Sequence, residues 1–151
     1  MRTLPVTASD DEIKQWVRDW IAILGEERYD EAVEMLHPNL SRYGQYDFWT
    51  GERLKTILRH YGLHKPIPED PRVFRPAPVD DAMRHEFEKH LKIYPRPSLE
   101  SDWTIDNVSI LVDMPLRDDN GVFLSDMTAE MMLRRVGESE MGVELLSAHV
   151  M

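Results

Sequence analysis

The alternation of apolar and polar residues between Val108 and Val150 constrains this chain more than any other feature. Val108, Ile110, Val112, Met114 and Leu116 share one parity, while Asn107, Ser109 and Asp113 share the other, with Leu111 as the exception. A period of two belongs to a strand with one buried face. Arg117-Asp118-Asp119-Asn120-Gly121 follows, and its Asn-Gly pair takes positive φ at little cost. Met127, Ala129, Met131 and Leu133 then alternate with Asp126, Thr128, Glu130 and Arg134. Gly137-Glu138-Ser139-Glu140 predicts a second turn. In the third run Val143 and Leu145 flank Glu144, but the phase slips at Leu145-Leu146 and resumes on Leu146, Ala148 and Val150. A slip of that kind predicts a β-bulge. Connections this short demand antiparallel pairing, so the expectation is a three-stranded meander with one apolar and one wet face.

Such a sheet needs a cover, and the first half of the chain supplies helices. Ser9-Asp10-Asp11-Glu12 is a capping box. Ile13, Trp16, Val17, Trp20, Ile21 and Leu24 then recur at helical spacing, up to a terminating Gly25. Tyr29, Ala32, Val33 and Leu36 predict a short second helix, stopped by Pro38. Asn39 to Trp49 is aromatic and irregular, and is expected to be an ordered loop. Thr50 caps a third helix over Gly51–Tyr61, with Trp49 and Leu54 as a hydrophobic staple and Gly62 as the residue that ends it. Five prolines between Leu63 and Val79 exclude helix and allow at most an edge strand around Val73-Phe74. Asp80–Tyr94 fits a helix through Met83, Phe87, Leu91 and Tyr94, and is read as one, although a loose alternation also fits a strand. Residues 1–8 are expected to be a loose lead-in to a single α+β domain spanning 1–151.

Charge narrows the partners. The net charge is −10, and the last 51 residues hold ten acids against three Arg. A surface of that sign repels nucleic acid and anionic membranes. It serves solubility, or it meets a basic protein partner. No apolar run reaches the ~18 residues of a membrane span, and the first residues lack the apolar core of a signal peptide, which favours the cytoplasm. With no cysteine there is no disulfide or thiolate chemistry.

The order of elements, with Tyr29-Asp30-Glu31-Ala32 leading to Leu36-His37-Pro38, resembles the nuclear transport factor 2-like superfamily. The resemblance implies three or four helices packed on a curved antiparallel sheet that forms a cone with a pocket, and a homodimer through the sheet. Ser125-Asp126-Met127-Thr128, Tyr61-Gly62 and the terminal His149-Val150-Met151 are similar to a family of small uncharacterised bacterial proteins. That likeness implies a bacterial source and no particular activity.

The candidate site residues follow from the cone. Tyr43, Tyr46, Trp49 and Trp103, with Trp20 from the first helix, are expected around the pocket. Asp47 among those aromatics would have its charged form disfavoured, as a general base requires; otherwise it is a solvated loop acid. Asp126 is a second catalytic candidate, or else pairs structurally with His149 across the polar face. His60 and His64, and His85 and His90, lack convincing metal-ligand spacing, so neither metal nor cofactor is expected. The function expected is a non-catalytic module for a small apolar ligand or a basic protein. The alternative is an isomerase or hydratase-like enzyme using Asp47 or Asp126.

Overall fold

The computed structural model describes residues 1–38, 49–63, 65–66, 68–95, 108–125 and 127–150. Among them lie four helices, α1 (Asp10–Gly25), α2 (Tyr29–Met35), α3 (Gly51–Arg59) and α4 (Asp81–His90). The strands are β1 (Leu4–Pro5), β2 (Arg75–Pro76), β3 (Lys92–Pro95), β4 (Val108–Asp113), β5 (Leu116–Arg117), β6 (Phe123–Leu124), β7 (Met127–Arg135) and β8 (Glu140–Val150). Five of them form a strongly curled antiparallel sheet in the order β1-β8-β7-β4-β3, a half-barrel. A second sheet, β2-β5-β6, is small. The class is α+β, as the meander predicts.

The helix starts follow local chemistry. The Ser9 hydroxyl accepts the amide hydrogen of Glu12, and the Thr50 hydroxyl accepts that of Arg53. Each satisfies an amide that the first turn leaves without a partner. Ile13, Trp16, Val17, Trp20, Ile21 and Leu24 are all buried. They join Ile110, Val112, Met131, Leu133, Val143 and Leu145 from the sheet in one continuous apolar cluster. Burial of each large side chain is worth about 1.5–3 kcal/mol, which is what holds the long helix against the sheet.

The meander pairs in the register that the alternation demands. Ile110 lies opposite Met131 and Val112 opposite Ala129, all four inward-facing and buried. Between β7 and β8 the register shifts: Glu130 faces Ser147 but Met131 faces Leu145. Leu146 is therefore the extra residue, the bulge expected from the phase slip.

Four expectations need correction. The first strand does not run unbroken to Leu116. It stops at Asp113, and Leu116 and Arg117 pair with β2 and β6 instead. Pro115 marks the break: its carbonyl accepts the Ala77 amide, and it brings no amide of its own to a ladder. The stretch from Asp80 to Tyr94 is helix and strand in succession. Asp80 caps α4, Leu91 turns extended and is buried, and β3 pairs with β4. Residues 1–8 are not merely a lead-in, because Leu4 and Pro5 pair with Met141 and Glu140 at the edge of β8. The Arg2 carbonyl also accepts the Trp16 indole N–H at 3.0 Å.

The polar face of the sheet, finally, is not uniformly wet. Ser109, Thr128, Arg134 and Glu144 are all buried. The Arg134 guanidinium donates to the Glu144 carboxylate diagonally across β7 and β8. Gly142, the register partner of Arg134, has Met1 and His37 close against it. Side-chain alternation gives the face a residue occupies, but not what lies over that face.

Candidate functional site

Helix α4 differs from the others in having no buried residue, and it stands over a candidate site. Asp80 caps it through the Met83 amide, at 2.8 Å, and Lys89 and His90 stand in its last turn, where cations suit the helix dipole. None of its residues is buried. It is pinned at the far side by Arg18 of α1, whose guanidinium makes a two-pronged contact with Glu88; the Nη2–Oε2 arm is 2.8 Å. The hydrogen bonds that the guanidinium donates to Glu88 raise the Arg18 pKa and hold the Glu88 carboxyl below the usual carboxylate range.

On the side away from Arg18, α4 roofs a cleft of about 270 Å³ between the helix, the end of β4 and the β5–β6 hairpin. Val79, Met83, Phe87, Pro115 and Phe123 make it apolar. Its volume sits near the lower bound of small-molecule pockets, roughly 300–1,000 Å³. The polar groups converge at one place. Glu86 and His90 are one turn apart on α4, with Glu86 Oε2 3.8 Å from His90 Nε2. His90 Nδ1 lies 3.5 Å from Asp113 Oδ2. The other Asp113 oxygen, Oδ1, accepts from the Thr128 hydroxyl at 3.2 Å.

From Asp113 the track continues along the outer face. Asp113 faces Thr128, and Thr128 faces His149. His149 Nδ1 is 3.0 Å from the Ser147 hydroxyl. The bulge at Leu146 is what brings His149 to this side: without the extra residue, the parity of Ser147 to Val150 would invert.

Chemically the arrangement can do two things. It can hold a small molecule whose apolar part fills the cleft and whose polar part meets the Glu86–His90–Asp113 group. It can also orient an imidazole by a carboxylate, the arrangement that general-base catalysis uses. A second cleft, of about 260 Å³ between α1 and α4, is walled by Arg18, Asp19, Arg84 and Glu88. Its Arg18 and Glu88 are already spent on each other, and Asp19 is held by Arg2. Among the described residues, no group of three or more His, Asp or Glu side chains is placed to hold a metal ion. No described helix is long and apolar enough to cross a membrane.

The residues singled out in the sequence fare unevenly. Asp47, Asp126, Tyr43, Tyr46 and Trp103 lie outside the described residues. Trp20 is fully buried, and its indole N–H donates to the Ala32 carbonyl at 3.0 Å, tying α1 to α2. It is a core residue. Trp49 is half-buried, with its indole N–H on the Leu145 carbonyl at 2.8 Å, beside the bulge. His149 does occupy the polar face, opposite Thr128.

In the sequence His90 draws notice only beside His85 as a metal ligand, and Glu86 and Asp113 are not marked as site residues. One signal was present: Glu86 and His90 stand four apart behind an Asp cap, so they share one helix face. Asp113 carried no such signal, because a contact across more than twenty residues leaves no local trace. Comparison of the chain with protein-family models, with curated proteins and with solved structures found no match.

Proposed function

We propose that this protein is a non-catalytic binding module that takes a small molecule in the cleft under α4. The observation that supports this best is the roof itself. A helix without a buried residue, standing over an apolar hollow with three ionisable groups at its rim, is poorly explained by packing alone. The curled sheet, the long α1 against its inner face and a cleft at its end agree with the nuclear transport factor 2-like cone, and we keep that as the proposed fold family. A homodimer through the sheet, or a basic protein on its outer face, has less support. Thr128, Arg134 and Glu144 are already buried there within one chain.

The test is a fragment titration followed by amide chemical shifts, with a panel of small neutral and charged aromatic fragments. Binding should perturb Met83, Phe87 and Asp113 together. Ala82→Phe, at an exposed position on the cleft wall, should fill the hollow and abolish those shifts, with stability unchanged to within about 0.5 kcal/mol. Fragments that bind Ala82→Phe as well as wild type would refute the assignment.

A proton-transfer enzyme is the second reading, supported by His90 Nδ1 lying 3.5 Å from Asp113 Oδ2. It demands that a carbonyl fragment bound in the cleft exchange its α-hydrogen with solvent deuterium, and that His90→Gln stop the exchange. Exchange at the same rate in His90→Gln would remove it.

A further inference from the structure

We infer that the cleft under α4 selects an organic cation, a protonated amine carried on an apolar body. This rests on the cleft being a ligand site. The argument begins with the charges that line it. Glu86 and Asp113 are the carboxylates of its described wall, His90 stands between them, and no described Lys or Arg lines it. Among the described residues, Asp113 accepts a hydrogen bond on one oxygen only, from the Thr128 hydroxyl. Its Oδ2 faces His90 at 3.5 Å, a separation outside ordinary hydrogen-bond range. An ammonium group placed at Asp113 Oδ2 would meet that carboxylate directly, with Glu86 on the far side of the His90 ring, 3.8 Å from Nε2, on the edge of an apolar wall where Coulomb attraction exceeds its value in water.

The rest of the wall suits the same occupant. Phe87 and Phe123 bring two rings, whose faces attract cations, and Met83 brings a polarisable thioether. An anionic ligand would face Glu86 and Asp113 with only the His90 imidazole between them, and no described Lys or Arg, in a chain whose net charge is −10. A neutral apolar ligand would leave Glu86 and the second oxygen of Asp113 without a contact from it. A metal ion is a poor alternative. It needs several oxygen ligands at about 2.0–2.6 Å, and no described cluster of three acids or histidines is placed to hold one. The overall acidity would also raise the local concentration of any cation near the mouth.

The cleft between α1 and α4 offers the contrast. Arg18 and Arg84 balance Asp19 and Glu88 there, so it has no preference by charge. One helix thus has a hollow with balanced Arg and acid on one side and, on the other, one with two carboxylates and no described Lys or Arg.

The experiment uses three probes of one shape: 2-phenylethylamine, 2-phenylethanol and phenylacetate, each titrated against the full chain by amide chemical shifts. The amine should bind at least about tenfold more tightly than the alcohol, a difference of ~1.4 kcal/mol. The acid should bind most weakly. Glu86→Gln should lower amine affinity about threefold or more and leave alcohol affinity unchanged. Glu86 is 68% exposed, so the change does not threaten folding. Asp113→Asn, which keeps an acceptor for Thr128, should do the same. Equal binding of amine and alcohol, with shifts in the cleft, would overturn the cation assignment and leave the cleft as a ligand site. Shifts from the amine that scatter over the acidic surface would overturn it too. No cleft shift from any probe would bring down both this inference and the binding reading beneath it.

Discussion

Replacing Arg134 with Met should cost this protein more stability than any other single exchange on the outer face of its sheet. The Arg134 and Glu144 side chains are only 7% and 2% exposed, and the guanidinium is the one described partner of the carboxylate. Glu144 Oε1 has no hydrogen-bond partner among the described residues. Removing the cation strands a buried carboxylate, a loss of about 3–5 kcal/mol. For a domain of this size that is a fall in Tm of roughly 6–20 °C, at about 2–4 °C per kcal/mol.

The pair is incompletely satisfied, so its own net contribution is small. The desolvation of both ions is offset by one set of contacts, with Oε1 left over. Arg134→Met combined with Glu144→Leu should therefore recover to within ~1 kcal/mol of wild type, or exceed it. Urea unfolding at pH 7, followed through the fluorescence of the buried Trp16 and Trp20, reads all four corners of the cycle. A single-variant cost below about 1 kcal/mol would refute the reasoning. So would a double variant whose loss equals the sum of the two singles.

Two further outcomes test the helices. Gly51→Ala should destabilise by about 1–3 kcal/mol in thermal unfolding, because its Cβ would lie 1.9 Å from Asp30 Oδ1 and 3.0 Å from the Asp30 amide nitrogen, where α3 begins against α2; an unchanged Tm would count against that close approach. The Arg18–Glu88 latch predicts a pH dependence. The folded Glu88 pKa is depressed by the Arg18 hydrogen bond, so its contribution is complete above the unfolded carboxylate value and is lost as pH falls through the folded one. Both partners are partly exposed, which limits the contribution to about 1 kcal/mol. Wild type should exceed Glu88→Gln by that amount at pH 7 and converge with it near pH 3; a constant gap across that range would show that the latch acts through packing instead of charge.

Much of the fold was legible residue by residue. Helix α1, its Ser9 cap, the inward parity of β4 and β7 and the bulge at Leu146 are all encoded within a few positions. Less of the candidate site was legible. The aromatic and acidic residues that drew attention were judged by type, and the one described member on α1, Trp20, proved to be a core strut between two helices. Glu86 and His90 were legible as a pair one helical turn apart, but where that helix ends and β3 begins was not. The alternation across Asp80–Tyr94 blurred that boundary, since Met83, Phe87 and Leu91 fit either period.

What the sequence by itself determined is the set of elements and the faces they turn inward. Those depend on the backbone periods of 3.6 and 2 and on capping and turn chemistry, which act between near neighbours. Tertiary structure alone decided which faces were covered and which distant groups met. It broke the first meander strand at Pro115, buried Arg134 and Glu144 on a face that alternation marks as polar, and brought His90 of α4 to Asp113 of β4. Each of these depends on where one element packs against another, and residues far apart along the chain exert no mutual constraint until the sheet curls and the helices close on it.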